Sequence, residues 1–267
     1  CNWPKIREIA NKYNLLVIED SADTIGANLS NKLPSGFYSD MSITSFYGSH
    51  IINCAGNGGA LSLNDSNAIK NALLLRSWGR SSSLFDQKSE SIDNRFNVNL
   101  DGIDYDAKFV FEKIGYNLEG SEIGAAFGLE QLKKLKKNII TRQNNFKKQT
   151  DFFSKYKSYF SNPIELDGCN TAWLAFPILI KKDVNFKRKD LQIYLEERKI
   201  QTRVVFTGNI LRQPMCRNIK KVVRPEGYPN ADSIMERGIL LPVHHGMTND
   251  MFERLHNSID EFILNRN

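Results

Sequence analysis

Two short stretches near the start of the chain, each predicted as part of a strand, lead to side chains that can do chemistry. The unbroken apolar run 15–18 leads to Asp20, and the stretch 42–46, which contains Ser45, leads to His50. Ligands of open α/β sheets bind beyond the carboxyl ends of parallel strands, so this placement favours a site there. Imidazole is also the side chain that titrates nearest neutral pH, which suits a general base. Taken singly, each has a simpler explanation: Asp20 as a helix cap and His50 as a structural histidine.

The elements that must position these residues follow from the hydrophobic pattern. Apolar residues spaced three and four apart predict an amphipathic helix over 3–13, and a second helix is predicted over 67–78. The run 15–18 is typical of a strand covered on both faces of a parallel sheet. Further strands are predicted over 42–46 and 60–63. This alternation of strand and helix predicts an α/β layer structure.

The rest of the chain is predicted to contain a long surface excursion and a second module. Residues 79–105 are polar and rich in Ser, Asp and Asn, as in a long functional loop. The later elements are predicted as helices over 121–138, 141–159, 188–198 and 249–264, and strands over 172–180, 202–206 and 239–243. We place a domain boundary near residue 140, which gives a domain 1–140 and a smaller α+β domain 141–267.

Composition excludes several classes of protein. The 267 residues are 41% hydrophobic and 25% charged, which excludes a disordered, collagen-like or disulfide-scaffold protein. No apolar run reaches 18 residues, so no membrane contact is predicted. The chain opens at Cys1 without an initiator Met or a signal segment, and we expect a fragment or a processed chain. A net charge of +6 fits either an anionic partner or a lysine-rich solvated surface. No stretch interleaves basic with aromatic residues, so nucleic acid is not predicted as a partner.

The cysteines are too far apart for the common metal motifs. Cys1, Cys54, Cys169 and Cys216 include no pair within four residues of each other. The pattern therefore predicts no metal site and no clustered iron–sulfur ligand set. Free thiols and the absence of a signal segment favour a cytoplasmic protein.

Four segments, taken in order, resemble the DegT/DnrJ/EryC1/StrS family of sugar aminotransferases and dehydratases. They are 20–27, 45–60, the Gly-Tyr-Asn at 115–117, and 241–248. The resemblance covers essentially the whole chain. It implies the type I pyridoxal-phosphate (PLP) fold, which is like that of aspartate aminotransferase, with a PLP-binding large domain and a small C-terminal domain. The large domain is expected to be incomplete, because the family's phosphate-cradling turn and ring-stacking aromatic residue are not found after Cys1.

His50 departs from the pattern of most of this family, which has lysine at that position. The lysine binds PLP covalently, and imidazole forms no lasting imine. The histidine resembles that of the family's 3-deoxysugar dehydratases. In them the pyridoxamine form (PMP) reacts with a nucleotide-linked 4-keto-6-deoxyhexose, and the C3 hydroxyl group is expelled. The resemblance therefore implies that His50 is the catalytic base of a deoxysugar-forming enzyme. Such deoxysugars commonly enter surface polysaccharide or O-antigen.

Two dehydratase branches share the histidine, and cysteine content separates them. One branch carries a [2Fe–2S] cluster on cysteines that follow the Trp-Gly-Arg segment and the cofactor aspartate. Here the matching stretches, 78–85 and 20–22, contain serine and alanine instead. The chain therefore resembles the cluster-free branch of GDP-4-keto-6-deoxymannose 3-dehydratases. This resemblance implies that no iron–sulfur cluster is bound and that PMP is regenerated from L-glutamate.

The resemblance also implies roles for individual residues. Asp20 pairs with the pyridinium nitrogen, and Ser45 donates to the cofactor phosphate. Asn117 reaches the phosphate in the neighbouring subunit, which implies a homodimer with a shared active site. Asp23 lies where family members contact the 3-hydroxyl group of the ring, although that position varies.

Two further residues are weaker candidates for substrate binding. Arg80 is expected to meet the nucleotide diphosphate or the glutamate carboxylate, or else to be a plain surface arginine. Asn209 lies in a segment that resembles a loop near the sugar. The adjacent His244 and His245 are interpreted as structural. Two alternatives stay open: a non-catalytic relative that binds the cofactor or a nucleotide sugar, and a sugar aminotransferase with another residue in place of lysine. The nucleotide and the hexose are not predicted.

Overall fold

The computed structural model describes residues 1–29, 31–86 and 88–266. Within these residues no helix is both long enough and apolar enough to cross a membrane. The α-helices are α1 (Trp3–Lys12), α2 (Ser66–Arg76), α3 (Ile92–Arg95), α4 (Glu122–Phe153), α5 (Arg188–Glu197), α6 (Pro229–Arg237) and α7 (Asn249–Leu264). The strands are β1 (Ile18–Asp20), β2 (Met41–Ser45), β3 (Gly59–Leu63), β4 (Val98–Leu100), β5 (Ile103–Tyr105), β6 (Phe160–Ser161), β7 (Phe176–Ile180), β8 (Arg203–Val204) and β9 (Gly238–Leu241).

The chain divides into two compact units. The first unit comprises Cys1–Ala22 and Ser35–Lys133, and the second comprises Asp23–Pro34 and Lys134–Asn267. The short segment that follows Ala22 joins the second unit through backbone pairing, because the Asn28 amide donates to the Asn170 carbonyl at 2.7 Å. The domain boundary near residue 140 stays a prediction.

The first unit is built on a three-stranded mixed sheet in the order β1-β2-β3. β1 runs parallel to β2, with Asp20 opposite Ile43, and β3 runs antiparallel to β2, with Gly59 opposite Ser45. The mixture of a parallel and an antiparallel pair agrees with the predicted α/β layers. The carboxyl ends of β1 and β2 lie at the same edge of the sheet.

The prediction of a doubly covered strand over 15–18 is wrong. Leu16 is 76% exposed, and the strand begins only at Ile18, which is itself 67% exposed. The reason is local, since Asn14 has a φ of 51° and the Leu15 amide donates to the Ala10 carbonyl at the end of α1. Asn14 and Leu15 therefore form the turn that closes the end of α1, and they do not begin a strand.

An ion pair fixes the approach to β2. The Arg7 guanidinium binds Asp40 Oδ2 at 2.9 Å and the Tyr38 carbonyl at 2.7 Å. The Val17 amide donates to the same carboxylate oxygen at 2.7 Å. The bond from Val17, and then the one from Arg7, lower the pKa of Asp40. The segment that enters β2 is thus attached to α1 and to the residue before β1.

The predicted surface excursion contains regular structure in the residues that are described. It includes α3 and the β4–β5 hairpin, in which Leu100 pairs with Ile103. Arg95 at the end of α3 pairs with Asp106 just after the hairpin. This pairing lowers the pKa of Asp106 to about 2, chiefly through the hydrogen bond from Arg95. In a segment that composition predicts as irregular, an ion pair therefore joins the end of α3 to the residue that follows the hairpin.

The second unit is built on a four-stranded antiparallel sheet in the order β6-β7-β9-β8. The predicted helices over 188–198 and 249–264 are confirmed as α5 and α7, whereas α6 is not predicted. The buried core joins the sheet to α4, α5 and α7. It includes Phe146, Phe153, Phe160, Phe176, Leu191, Leu195, Ile239, Leu255 and Phe262.

The prediction of two helices over 121–138 and 141–159 is wrong. A single 32-residue helix, α4, continues through the expected break. Asn138 is buried, and a Cβ atom on Gly26 would lie 2.4 Å from Ile139 Cδ1. Tertiary packing therefore outweighs the modest helix propensity of asparagine and β-branched residues.

One face of α4 carries buried polar residues that bind the segment after β9. Gln149 donates to the Pro242 carbonyl at 3.2 Å, and Asn145 donates to the His244 carbonyl at 2.9 Å. Arg142 continues this row one turn earlier on the helix. The polar row gives buried carbonyl groups the partners that they require.

Candidate active site

Asp20 and Ser45 end the two parallel strands of the first unit. Asp20 is the last residue of β1, and the Ser21 amide donates to the Ile43 carbonyl at 3.1 Å. Ser45, the last residue of β2, lies two positions farther along the same strand. The structure therefore places both predicted cofactor-binding residues at one edge of the sheet.

His50 lies in the loop between β2 and β3. The loop is held as a hairpin, because the Phe46 amide donates to the Gly58 carbonyl at 2.9 Å and the Gly48 amide donates to the Gly56 carbonyl at 3.1 Å. Ile51, the next residue after His50, is almost completely buried. The histidine is thus carried on an anchored turn.

The His50 ring contacts the residue that follows the β1 strand end by two positions. Its Nδ1 atom lies 3.0 Å from the Ala22 carbonyl oxygen. A carbonyl oxygen can only accept, so Nδ1 carries the hydrogen in this bond. In the neutral ring the lone pair is then on Nε2. The ring also meets Tyr47 edge to face, with centroids 6.1 Å apart. These contacts orient Nε2 as the proton-accepting atom.

The first turns of α4 pack against the same loop through glycine. A Cβ atom on Gly124 would lie 2.9 Å from the Cys54 carbonyl oxygen, and one on Gly128 would lie 2.4 Å from Cys54 Sγ. Both distances are too short for a side chain without a shift of the loop. The small residues of this helix therefore allow it to lie directly against the segment that carries His50.

Asp20 and Ser45 each keep hydrogen-bonding capacity beyond their local contacts. Asp20 Oδ1 accepts from the Ala22 amide at 3.1 Å, which involves one of its two carboxylate oxygens. Ser45 Oγ accepts from the Tyr47 amide at 3.2 Å, so the bond uses its oxygen and not its hydroxyl hydrogen. A carboxylate acceptor and a hydroxyl donor thus face one strand edge.

A buried carboxylate next to Asp20 is a residue that sequence analysis did not single out as functional. Glu19 is buried, and its two oxygens accept from Ser21 Oγ at 2.6 Å and from the Gly36 amide at 2.9 Å. Side chains alternate along a strand, so Glu19 and Asp20 point to opposite faces. Its signal in the sequence was a second carboxylate directly before Asp20, at the end of the apolar run 15–18.

Arg80 and Asn117 lie on a second feature of the first unit, a ribbon formed by 77–80 and 111–117. Its backbones pair antiparallel, with Ser77 opposite Asn117 and Arg80 opposite Phe111. The ribbon thus brings the Trp-Gly-Arg and Gly-Tyr-Asn segments together.

Two glycines allow the strands of the ribbon to approach closely. A Cβ atom on Gly79, whose φ is 81°, would lie 1.8 Å from the Lys113 carbonyl oxygen. One on Gly115 would lie 2.2 Å from the Gly79 nitrogen. The Trp-Gly-Arg and Gly-Tyr-Asn segments thus each have glycine at the point where their backbones touch.

The Arg80 guanidinium is surrounded by aromatic rings. Its central carbon lies 4.8 Å from the ring centroid of Trp78, 5.4 Å from that of Phe111 and 5.8 Å from that of Phe109. Its Nε atom is buried and has no hydrogen-bond partner in the part of the chain that is described. The rings fix the plane of a cation that still has donor capacity.

The two remaining candidates belong to the second unit. Asp23 is exposed. Asn209 is buried, donates to Asp232 at 2.8 Å and accepts from the Leu211 amide at 3.1 Å. Both ends of the Asn209 amide thus have partners within the unit, and this asparagine holds the loop before α6. Its contact with a sugar stays a prediction.

The cysteines of the chain are all free, and Cys216 alone among them is buried. Among the described residues, no group of three or more His, Cys, Asp or Glu side chains is placed to hold a metal ion.

Comparison with known proteins identifies the family. The model of the DegT/DnrJ/EryC1/StrS aminotransferase family matches residues 1–260. The chain belongs to this family. Lipopolysaccharide biosynthesis protein RfbH of Salmonella typhimurium is 30% identical over 263 residues, which cover 98% of this chain and 60% of the relative. The dTDP-4-dehydro-2,6-dideoxy-D-glucose 3-dehydratase of Saccharopolyspora spinosa is 30% identical over 261 residues, which cover 97% of this chain and 56% of the relative. The chain thus spans somewhat more than half the length of these curated relatives.

A solved structure gives the fold. The E. coli GDP-4-keto-6-deoxy-D-mannose 3-dehydratase with bound hydrated PLP superposes with a TM-score of 0.82 and 27% identity, covering 97% of this chain and 64% of that chain. The predicted fold class, that of type I PLP-dependent enzymes, is therefore confirmed. The family is PLP-dependent and modifies sugars. The roles of the individual site residues stay predictions.

The donor set at the strand edge fits PLP. A carboxylate suits the protonated ring nitrogen, and a serine hydroxyl that can still donate suits a phosphate oxygen. The residues Asp20 and Ser45 would supply these two contacts.

Proposed function

We propose that the protein is a PLP- and PMP-dependent 3-dehydratase of a nucleotide-linked 4-keto-6-deoxyhexose. The observation that carries the proposal is His50, which replaces the lysine of most family members and bonds through Nδ1 to the Ala22 carbonyl. Nε2 is then the basic atom, at the strand edge that ends in Asp20. The substrate class, a hexose linked to a nucleotide, is part of the proposal.

The cofactor would be held without a covalent bond to His50. Asp20 would keep the ring nitrogen protonated, and Ser45 would donate to the phosphate. The chemistry that the cofactor supplies when bound is an amino group for the C4 carbonyl of the sugar and a ring that acts as an electron sink. Asp23 would contact the 3-hydroxyl group of the ring.

His50 is proposed as the general base. Nε2 would take up the proton that has to be removed before the C3 hydroxyl group of the sugar can leave, and the cofactor held by Asp20 and Ser45 would supply the electron sink. The Nδ1 bond to Ala22 fixes the tautomer, and the anchored loop limits rotation of the ring. General base catalysis by a positioned side chain contributes roughly a hundredfold to ten-thousandfold in rate.

The lack of a nearby lysine favours elimination over transfer of the amino group. No lysine lies within ten residues of His50 in the sequence. An aminotransferase needs an ammonium group to protonate C4 of the sugar. Without that proton donor, expulsion of the C3 hydroxyl group is the outcome that remains.

We place the protein in the branch that works without an iron–sulfur cluster. In the stretch where the cluster branch has cysteines, Ser81 donates to the Ala107 carbonyl at 2.7 Å and Ser83 donates to the Arg80 carbonyl at 2.8 Å. These hydroxyl groups therefore hold backbone. PMP would be regenerated by amino transfer from L-glutamate. Arg80 would bind the glutamate carboxylate or the nucleotide diphosphate.

A homodimer is part of the proposal. The residues on either side of Asn117 in the chain are apolar and exposed, with Tyr116 at 65% and Leu118 at 68% of their full exposure. Exposed apolar patches mark contact surfaces. A second copy that covers this patch would allow Asn117 to reach the cofactor phosphate of its neighbour. The free cysteines and this biosynthetic role suit the cytoplasm.

A sugar aminotransferase is the second candidate, because the matching family model describes aminotransferases. The two reactions differ in their products. A dehydratase returns a sugar that lacks the C3 oxygen, whereas an aminotransferase returns a sugar with an amino group at C4.

The test combines the purified protein with PLP, L-glutamate and a nucleotide-linked 4-keto-6-deoxyhexose, without a reductase. We expect release of 2-oxoglutarate, the absorbance change from PLP to PMP, and a 3-deoxy product by mass spectrometry. An aminated product would favour the aminotransferase. Binding of PLP without reaction with glutamate would favour a non-catalytic relative. The His50→Asn variant is the control, since it should retain cofactor binding and lose product formation.

A further inference from the structure

A buried arginine on α4 carries a positive charge that forms no ion pair with a carboxylate of the described residues. Arg142 is 3% exposed. Its Nε donates to His245 Nδ1 at 3.2 Å, and its Nη1 donates to the carbonyls of Trp173 at 3.0 Å and Leu174 at 3.3 Å. All three of these acceptors are neutral.

Buried charges are normally paired with an opposite charge. Of the carboxylates in the described residues, none forms an ion pair with Arg142. Burial lowers the pKa of Arg142 to about 10, which still leaves the guanidinium protonated at neutral pH. An uncompensated cation is therefore held inside the second unit.

Two exposed histidines beside Arg142 present hydrogen-bond donors. His245 Nδ1 accepts from Arg142, and His244 Nδ1 accepts from the Gly246 amide at 3.2 Å. Because both Nδ1 atoms accept, each neutral ring carries its hydrogen on Nε2. Although the two residues are exposed, partial desolvation of their rings, followed by the charge of Arg142, lowers the pKa of both histidines.

The cluster does not suit a metal ion. The Nδ1 atoms are already used as acceptors, and a cation would be repelled by the neighbouring guanidinium. An anion with hydrogen-bond acceptors suits the cluster better, because it can accept from the Nε2–H groups of the histidines and is attracted by the guanidinium.

We propose that Arg142, His244 and His245 form a binding site for a small oxyanion, either a carboxylate or a phosphate group. The anion would accept from the two Nε2–H groups and would offset the charge of Arg142. The proposal does not depend on the proposed function, because every residue of the site lies in the second unit and the test measures binding.

The test is NMR of the full chain with ¹⁵N-labelled histidine. Free protein should show the Nε2–H tautomer for His244 and His245. Titration with inorganic phosphate, and separately with acetate, should shift the Nε2 signals of these two rings. His256 is the internal control, since it donates to Gln149 Oε1 and stacks on Phe152. A shift with phosphate alone identifies a phosphate site, and a shift with both anions identifies a site for either group.

Variants at the exposed histidines test the site without disturbing the core. His244→Ala and His245→Ala should each weaken the affinity for the anion by about tenfold or more, which is the value of a charge-assisted hydrogen bond. Lys147→Ala removes a cation from the same helix and should leave the affinity unchanged. Equal shifts of all the histidines, no shift at His244 and His245, or unchanged affinity in both variants would each overturn the proposal.

Discussion

The Nδ1 atom of His50 and the carbonyl oxygen of Ala22 lie 3.0 Å apart, which connects the β2–β3 loop to the end of β1. A histidine whose Nδ1 is bound in this way presents one basic nitrogen. The same loop position is lysine in most of the family, so an exchange of the two residues is informative.

The His50→Lys variant should bind PLP covalently. A primary amine at this position can form the linkage that imidazole cannot. After borohydride reduction, peptide mapping by mass spectrometry should find the cofactor on residue 50 in the variant. Tyr47→Lys, which places an amine elsewhere in the loop, is the matched control and should remain unlabelled. Labelling of both variants alike would show only that amines in this loop are reactive.

Gly128 should tolerate alanine only when Cys54 is shortened. A Cβ atom on Gly128 would lie 2.4 Å from Cys54 Sγ, so Gly128→Ala should lower the free energy of unfolding by about 1–3 kcal/mol. The double variant with Cys54→Ala should recover most of this loss, because the obstructing atom is gone. Urea unfolding measures both values.

The control for this pair is Gly120→Ala, since nothing lies within 4 Å of a Cβ atom there. It should leave the free energy of unfolding nearly unchanged. If Cys54→Ala fails to recover the loss, the contact between α4 and the loop is not what limits position 128.

Gly79 should be far more sensitive to substitution than Gly102, although both have a positive φ. The φ angles are 81° and 92°, so alanine pays a similar backbone cost of about 1 kcal/mol at either position. At Gly79 the new Cβ atom would also lie 1.8 Å from the Lys113 carbonyl oxygen, whereas at Gly102 it meets open space. Gly79→Ala should therefore open the ribbon.

Two measurements separate these variants. Urea unfolding should show a larger loss for Gly79→Ala than for Gly102→Ala, and sedimentation should show that only Gly79→Ala weakens the proposed homodimer. Equal effects of the two substitutions would mean that the φ angle alone explains the glycine at position 79.

The stability of the second unit should fall as the pH is lowered from about 6.5 towards 4. Burial lowers the pKa of His256 from 6.5 to about 4. Between these values the unfolded chain binds a proton that the folded chain does not, so the free energy of unfolding rises with pH in this window. Below pH 4 this histidine should contribute no further change.

The check is urea unfolding at several pH values. His256→Gln keeps a donor for Gln149 and removes the titrating ring, so its curve should be flatter over the same window. An equally steep curve in the variant would assign the pH dependence to other groups.

The sequence predicts the positions of the catalytic candidates better than their surroundings. Asp20 and Ser45 end two parallel strands, so they fall at one edge of the sheet. His50, in the loop after β2, contacts Ala22 just beyond the end of β1. The pairing of Gly79 with Gly115 was not predictable, since it depends on contact between backbones 36 positions apart.

The limits of the helix prediction have a physical cause. The polar row on α4 includes Arg142, Asn145 and Gln149, which are buried. A hydrophobic pattern assigns such residues to solvent. In the structure Asn145 and Gln149 bind carbonyls after β9, and Arg142 binds two carbonyls that precede β7. Local propensity likewise favoured a break near Asn138, which packing overrides.

Glu19 helps to determine which of two neighbouring carboxylates lies at the exposed end of β1. If β1 slipped by one residue against β2, every side chain would change face, so Glu19 would replace Asp20 at the exposed edge and Asp20 would be buried. The bond from the Gly36 amide to Glu19 joins this face of β1 to the segment that precedes β2. A chain in which β1 had slipped would lose this bond and would bury Asp20 without it. The contact of Glu19 with Gly36 therefore favours the observed register, in which Glu19 is buried and Asp20 stays at the exposed strand end.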